Sequence, residues 1–153
     1  MLLKYGLCRE ASDALARLCL AQRIGQTIGY AVASAGTHAP DGHEGGAPYC
    51  AATDLHVQDL GFSEVRGLLS ALANQGFAAF FRRPGFDHWP PYDVLHVHAV
   101  YAGVAMKPAL QVQVHDWLHG LNGLASHAEY AEWQPSGAEC QAVRTLFLAH
   151  NPA

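Results

Sequence analysis

A chain of 153 residues, of which half are hydrophobic and 14% are charged, is long enough to bury a core and is not composed like a disordered segment. We therefore expect one domain, residues 1–153. The net charge of −4 and the nine scattered basic residues form no basic patch, so nucleic acid and anionic membranes are not expected partners.

The N-terminal segment and the cysteines bear on the compartment. Lys4, Arg9 and Glu10 interrupt the region where a signal peptide would be apolar, and no apolar run reaches the length of a membrane span. The four cysteines lack CxxC spacing, which indicates reduced thiols. We expect a protein made in the cytoplasm without a transmembrane segment. An enzyme released to the cell wall by other means would have the same composition.

The first half of the chain alternates between helix and strand patterns. Apolar residues at helical spacing predict a first helix over 12–24, with Ser12 as its N-cap. The β-rich segment 27–36 predicts a strand, and the Gly- and Pro-rich segment 37–49 predicts an irregular loop. Residues 50–57 predict a short strand. Its alternate side chains share one face: Ala52, Asp54 and His56.

The second half predicts a similar alternation. Residues 63–76 predict a helix that Ser63 caps, 77–81 a strand and 82–92 a Pro- and Gly-rich loop. Alternation predicts a strand over 94–101. Two further helices are expected at 108–123 and 138–149. The fold class is therefore α+β, with a small antiparallel sheet packed by helices.

His96 and His98 project from one face of the predicted strand 94–101, where a core would place valine or isoleucine. Buried imidazoles need partners, and a metal ion is the leading candidate because neutral imidazole is a favoured zinc ligand. A catalytic zinc usually takes three protein ligands and leaves a fourth position for water. The segments GTHAP and AATDLHV offer the missing histidine and acid, His38 and Asp54.

The order of these elements resembles a known family. A helix, a strand, a His loop, an Ala-x-Asp strand, a helix, a Gly-Phe strand and a His-x-His strand are similar to the zinc peptidases of the D-alanyl-D-alanine carboxypeptidase and murein endopeptidase type. Lysostaphin-like and Hedgehog domains are related. The matching segments are the His38 loop, AATD and HVH, within about residues 10–105. The resemblance implies a Hedgehog-like or D-Ala-D-Ala-peptidase-like fold with a zinc cleft on the open sheet face. It leaves a helical C-terminal part, 106–153, unmatched.

The resemblance also implies roles for individual residues. His38, Asp54 and His98 would hold Zn²⁺. Asp93 would be the general base, and His96 would lie beside the attacking water or the oxyanion. The implied activity is zinc-dependent hydrolysis of peptides, with peptidoglycan stem or cross-bridge peptides as the expected substrate.

Three alternatives stay open at this point. His38 and Asp54 are 16 residues apart, a longer spacing than the family's motif has, so His43 could be the first ligand instead. The same fold could hold zinc without turnover, as a non-catalytic zinc-binding domain. A separate segment, HDWLH, places His115 and His119 one helical turn apart and is one residue type short of the zincin signature HExxH.

Overall fold

The structure is a computed structural model that describes residues 6–29, 36–124 and 126–152. It is an α+β fold, as the sequence predicts, with a small antiparallel sheet and four α-helices in this part of the chain. None of the described helices has both the length and the apolar character needed to cross a membrane. In chain order the elements are α1 Arg9–Arg17, a 3₁₀ turn Ala21–Arg23, β1 Ile24–Gln26, β2 Gly42–Glu44, β3 Ala47–Tyr49, β4 Ala52–His56, α2 Phe62–Asn74, β5 Phe77–Arg82, β6 His96–Tyr101, α3 Pro108–Leu118 and α4 Gly137–His150.

The main sheet has four strands in the order β1-β4-β6-β5, and every neighbouring pair is antiparallel. Directly opposed residues of neighbouring strands share a face, so the register aligns side chains in rows across the sheet. The two rows that matter for function are Asp54, His98 and Phe80 in the first, and His56, His96 and Arg82 in the second.

Hydrophobic side chains cover both faces of this sheet. Leu15 of α1 and Leu69 of α2 belong to the cluster that includes Val97 of β6. Trp117 of α3 belongs to a second cluster, with Phe80 of β5. The histidine-bearing face of β6 is therefore the face towards α3 and α4. The alternation of strand 94–101 predicts that His96 and His98 share a face, but not which helices cover it.

The predicted bounds of the first helix, residues 12–24, are wrong. It begins at Arg9 rather than at Ser12, because the thiol of Cys8 takes the N-cap position and accepts a hydrogen bond from the Ala11 amide at 3.5 Å. The chain leaves the helix after Arg17, and Cys19 has a left-handed φ of 57°. Of the predicted strand 27–36, residues 30–35 lie outside the described part of the chain.

The predicted irregular loop over 37–49 is also wrong in part, since β2 and β3 form a hairpin there. Its turn residues Gly45 and Gly46 have φ values of 59° and 84°, which glycine adopts without strain and which two-residue hairpins require. The second predicted cap, Ser63, is wrong as well. The N-cap of α2 is Gly61, whose amide donates to the Glu64 carboxylate at 2.7 Å.

Candidate metal centre

Three side chains from separate parts of the chain meet on the sheet. Asp54 of β4 lies directly opposite His98 of β6, and His38 comes from the segment before the hairpin. The Asp54 carboxylate lies 2.9 Å from His98 Nδ1 through Oδ1 and 3.3 Å from His38 Nε2 through Oδ2. One ligand atom from each residue lies within 4.8 Å of the others. We call this group the His38–Asp54–His98 cluster.

The outer nitrogen of each imidazole fixes the orientation of its ring. His38 Nδ1 lies 2.7 Å from the carbonyl oxygen of Thr27, and His98 Nε2 lies 2.8 Å from Oε1 of Gln113. Both oxygens can only accept, so these two nitrogens donate. In the neutral rings, the nitrogens facing Asp54 would then carry lone pairs directed at a carboxylate. A cation at this position, a proton or a metal ion, removes that repulsion.

The pKa values of the cluster follow from burial and from these contacts. Burial alone would raise the pKa of Asp54, but the hydrogen bonds from His38 and His98 hold it well below its usual range. Burial would likewise lower the pKa of His38, yet the Asp54 carboxylate raises it to about 10. Burial is the main cause that lowers the pKa of His98. The metal-free cluster therefore holds a proton on His38 near neutral pH.

The other residues predicted for the site lie beside the cluster or away from it. His96 Nε2 lies 3.6 Å from Asp54 Oδ1, and its Nδ1 bonds the Val94 carbonyl at 2.7 Å. Asp93 is exposed and lines the same cleft. His43 lies on β2, exposed, and contributes no atom to the cluster. The structure thus brings His38, Asp54 and His98 together with His96 beside them, places Asp93 among the residues that line the same cleft, and leaves His43 outside the cluster.

A cleft of about 470 Å³ opens over the cluster. Sequence reasoning identified the five predicted site residues among its lining, but it gave no role to Gln113, Arg82 or Trp89. Gln113 comes from α3, Arg82 ends β5 opposite His96, and Trp89 belongs to the loop after β5. In the sequence, Arg82 is marked only as the polar residue at the end of the apolar segment FAAFFR. The strand register, which the sequence does not give, places the Arg82 side chain on the face of the cleft.

The HDWLH segment is built differently. The His115 and His119 rings stack with centroids 4.2 Å apart, and His119 Nδ1 bonds the carbonyl of His115 at 2.8 Å. Asp116 is buried and its carboxylate lies 2.6 Å from His127 Nδ1. Within the described ranges, no third ligand joins His115 and His119.

Comparison with known proteins gives no relative from which a function could be transferred. No protein-family model matches the chain, and neither the curated proteins nor the solved structures provide a match. Function is therefore inferred from the residues of the site.

Proposed function

We propose that the His38–Asp54–His98 cluster binds a zinc ion and that the protein is a zinc-dependent peptidase. One observation carries the proposal: two imidazoles and one carboxylate converge within 4.8 Å at a cleft. Two histidines and an acid are a ligand set that catalytic zinc sites use, with a further position open to water.

The residues around the cluster fit this ion. Histidines that bind metal usually donate their second N–H to a carbonyl or carboxylate oxygen, which fixes the tautomer and makes the ligand more basic. His38 and His98 both do so, to Thr27 and Gln113. Two of the three ligands, Asp54 and His98, are opposed neighbours on paired strands of the sheet. His38 lies in the segment before β2, where its Nδ1 contact with the Thr27 carbonyl holds the ring.

Two side chains, Asp93 and His96, have separate roles in the proposed reaction. Zinc, when bound, supplies a Lewis acid that polarises the scissile carbonyl and acidifies water. Asp93 accepts the proton of the attacking water as the general base. His96, which must carry a proton on Nε2 as well as on Nδ1 for this role, donates a hydrogen bond to the oxygen that becomes negative as the carbonyl is attacked. His96 is held for this role by its Nδ1 contact with the Val94 carbonyl and by an edge-on contact with Trp89, whose ring centroid lies 5.6 Å from that of His96.

Peptidoglycan stem or cross-bridge peptides are the proposed substrates. This choice depends on the resemblance of the His38 loop, AATD and HVH to murein peptidases. The fold we propose is likewise the Hedgehog-like or D-Ala-D-Ala-peptidase-like one, with the cleft on the histidine-bearing face of the sheet. An open cleft of this volume suits a peptide rather than a folded protein surface.

A second candidate is a zinc-binding domain of the same fold without turnover. One observation favours it: Asp93 is exposed on the loop, and its carboxylate makes no hydrogen bond or ion pair with the cluster. The two candidates agree on zinc and differ on hydrolysis. Zinc content and peptidase rate therefore have to be measured on the same samples.

The deciding experiment compares one histidine of the cluster, His98, with the histidine pair of the HDWLH segment. Elemental analysis of the purified protein should give about one zinc per chain, and His98→Ala should lose most of it because the three-ligand site is broken. The double variant His115→Gln/His119→Gln is the control, because it removes two histidines that lie outside the cluster. A His98→Ala protein with full zinc, or a control protein without zinc, would contradict the proposed site. Zinc without hydrolysis of peptidoglycan fragments would favour the non-catalytic candidate.

A further inference from the structure

The connection between β5 and β6, residues 83–95, contains an uncommon backbone conformation. Asp87 and His88 have left-handed φ values of 51° and 64°, and in the described part of the chain no other two consecutive non-glycine residues do. The left-handed region disfavours residues with a Cβ atom, although Asp and His enter it more often than most. Strain of this kind persists only where the surrounding contacts determine it, and it is frequent at functional sites.

The contacts that determine this conformation converge on Asp87. Its two carboxylate oxygens accept hydrogen bonds from the backbone amides of Ala131 at 2.8 Å and Glu132 at 3.0 Å. Its carbonyl oxygen accepts from the side-chain amide of Asn122 at 2.9 Å. Asn122 is fully buried, and its own carbonyl accepts from Arg82 Nη1 at 2.7 Å. Asp87 therefore ties the β5–β6 connection to the segment between α3 and α4.

Trp89, two residues after Asp87, lines the cleft. Its ring is edge-on to that of His96, with the ring centroids 5.6 Å apart. Its backbone closes a tight loop, because the Trp89 amide donates to the Phe86 carbonyl at 2.8 Å and the Trp89 carbonyl accepts from the Gly85 amide at 2.9 Å. The two left-handed residues lie inside this closed loop. Their conformation therefore sets the direction in which the Trp89 side chain leaves it.

The orientation of His96 depends on this connection. The Trp89 contact restricts the His96 ring from one side, and His96 Nδ1 bonds the carbonyl of Val94 at 2.7 Å. Both of these supports belong to the connection that Asp87 anchors. A hydrogen-bond donor at a reacting carbonyl has to be placed accurately, since about 1 Å of misplacement can lower a rate by about 10²-fold.

We propose that Asp87 is a positioning residue of the cleft. Its carboxylate holds the β5–β6 connection in the left-handed conformation that keeps the Trp89 ring against His96, and His96 is thereby oriented towards the scissile carbonyl. Asp87 itself does not line the cleft, so it acts through Trp89. The inference rests on the proposed peptidase function for its catalytic consequence, whereas the contact between Trp89 and His96 is tested without hydrolysis.

The test follows the ring protons of His96 by NMR on the purified protein with the metal it carries. The edge-on contact places His96 in the ring-current field of Trp89, so the chemical shift of the His96 signal reports this contact. His96→Ala assigns the signal, and Trp89→Leu gives its position without the indole. In Asp87→Gly the signal should move most of the way to that position. Glycine adopts a φ of 51° without strain, so the substitution removes the carboxylate without adding backbone strain.

Two further variants distinguish positioning from a general loosening of the fold. Asp87→Asn keeps one acceptor oxygen and a residue type that tolerates left-handed φ, so its signal should lie nearer to that of the wild type. Tyr130→Phe removes another hydrogen bond of the segment between α3 and α4, the one from the Phe81 amide at 2.7 Å, and should leave the His96 signal in place. Thermal unfolding checks that each variant is folded, and Asp87→Asn decides the question if Asp87→Gly is not.

The rates provide the second measurement. Asp87→Gly should lower the kcat of peptide hydrolysis by up to about 10²-fold, with KM and zinc content nearly unchanged, because only the orientation of His96 changes. An unmoved His96 signal in Asp87→Gly, an equal displacement in Tyr130→Phe, or a displaced signal with wild-type kcat overturns the inference. A wild-type protein that hydrolyses no peptide counts against the peptidase proposal alone, since the NMR comparison still decides whether Asp87 holds Trp89 against His96.

Discussion

The hydrogen bond between Gln113 of α3 and His98 connects a C-terminal helix to the metal centre, and we expect its loss to weaken zinc binding. His98 is 5% exposed, and its Nε2–H donates to Gln113 Oε1 at 2.8 Å. Gln113→Leu would leave this buried donor without an acceptor. Removing such an outer-shell partner typically weakens metal binding by about 10- to 100-fold, which is about 1.4 to 2.8 kcal/mol.

The measurement is zinc affinity by competition with a chromophoric chelator. Gln113→Glu should bind zinc at least as tightly as the wild type, because a carboxylate also accepts from His98. The matched control is Gln111→Leu, the same substitution two residues earlier on α3, where the side chain bonds the Met106 carbonyl at 2.9 Å. If Gln113→Leu keeps wild-type affinity, or if Gln111→Leu weakens binding equally, Gln113 does not orient the ligand.

Three further outcomes follow from the site and its support. Asp93→Asn should keep zinc but lower any peptidase rate by about 10² to 10⁴, as loss of a general base does, and His96→Ala should act similarly; steady-state rates equal to the wild type would remove both roles. Because the pKa of His38 is raised to about 10 in the metal-free protein, this residue is protonated below that pH and zinc must displace the proton. Zinc affinity should therefore rise about tenfold per pH unit from about pH 7 towards 10, with release of about one proton per zinc, and calorimetry in buffers of different ionisation heat would show a flat profile if the assignment is wrong. Tyr130→Phe should cost about 1–3 kcal/mol in urea unfolding, since the Tyr130 oxygen accepts from the Phe81 amide of edge strand β5 at 2.7 Å, and an unchanged midpoint would contradict this.

Local patterns in the sequence predicted most of the regular elements. Strand β6 and helix α3 occur where period-two and helical spacing place them, and the α+β class follows from their order. The same local rule predicted that His96 and His98 share a face, because successive side chains of any strand point to opposite sides. The errors occur where a capping side chain or a glycine turn, rather than hydrophobic periodicity, sets the bounds of an element. The thiol of Cys8 caps α1, and two adjacent glycines turn a supposedly irregular loop into the β2–β3 hairpin.

The sequence by itself determined the fold class and the candidate ligands, but only the tertiary structure decided which side chains meet. Asp54 and His98 are 44 residues apart and touch because β4 pairs with β6 in one particular register. Arg82 faces the cleft because the same register continues into β5, and Gln113 reaches His98 because α3 packs on that face. Periodicity is set by covalent geometry within a few residues. Register and packing instead depend on how the whole core is buried. They therefore cannot be predicted from any short segment of the sequence.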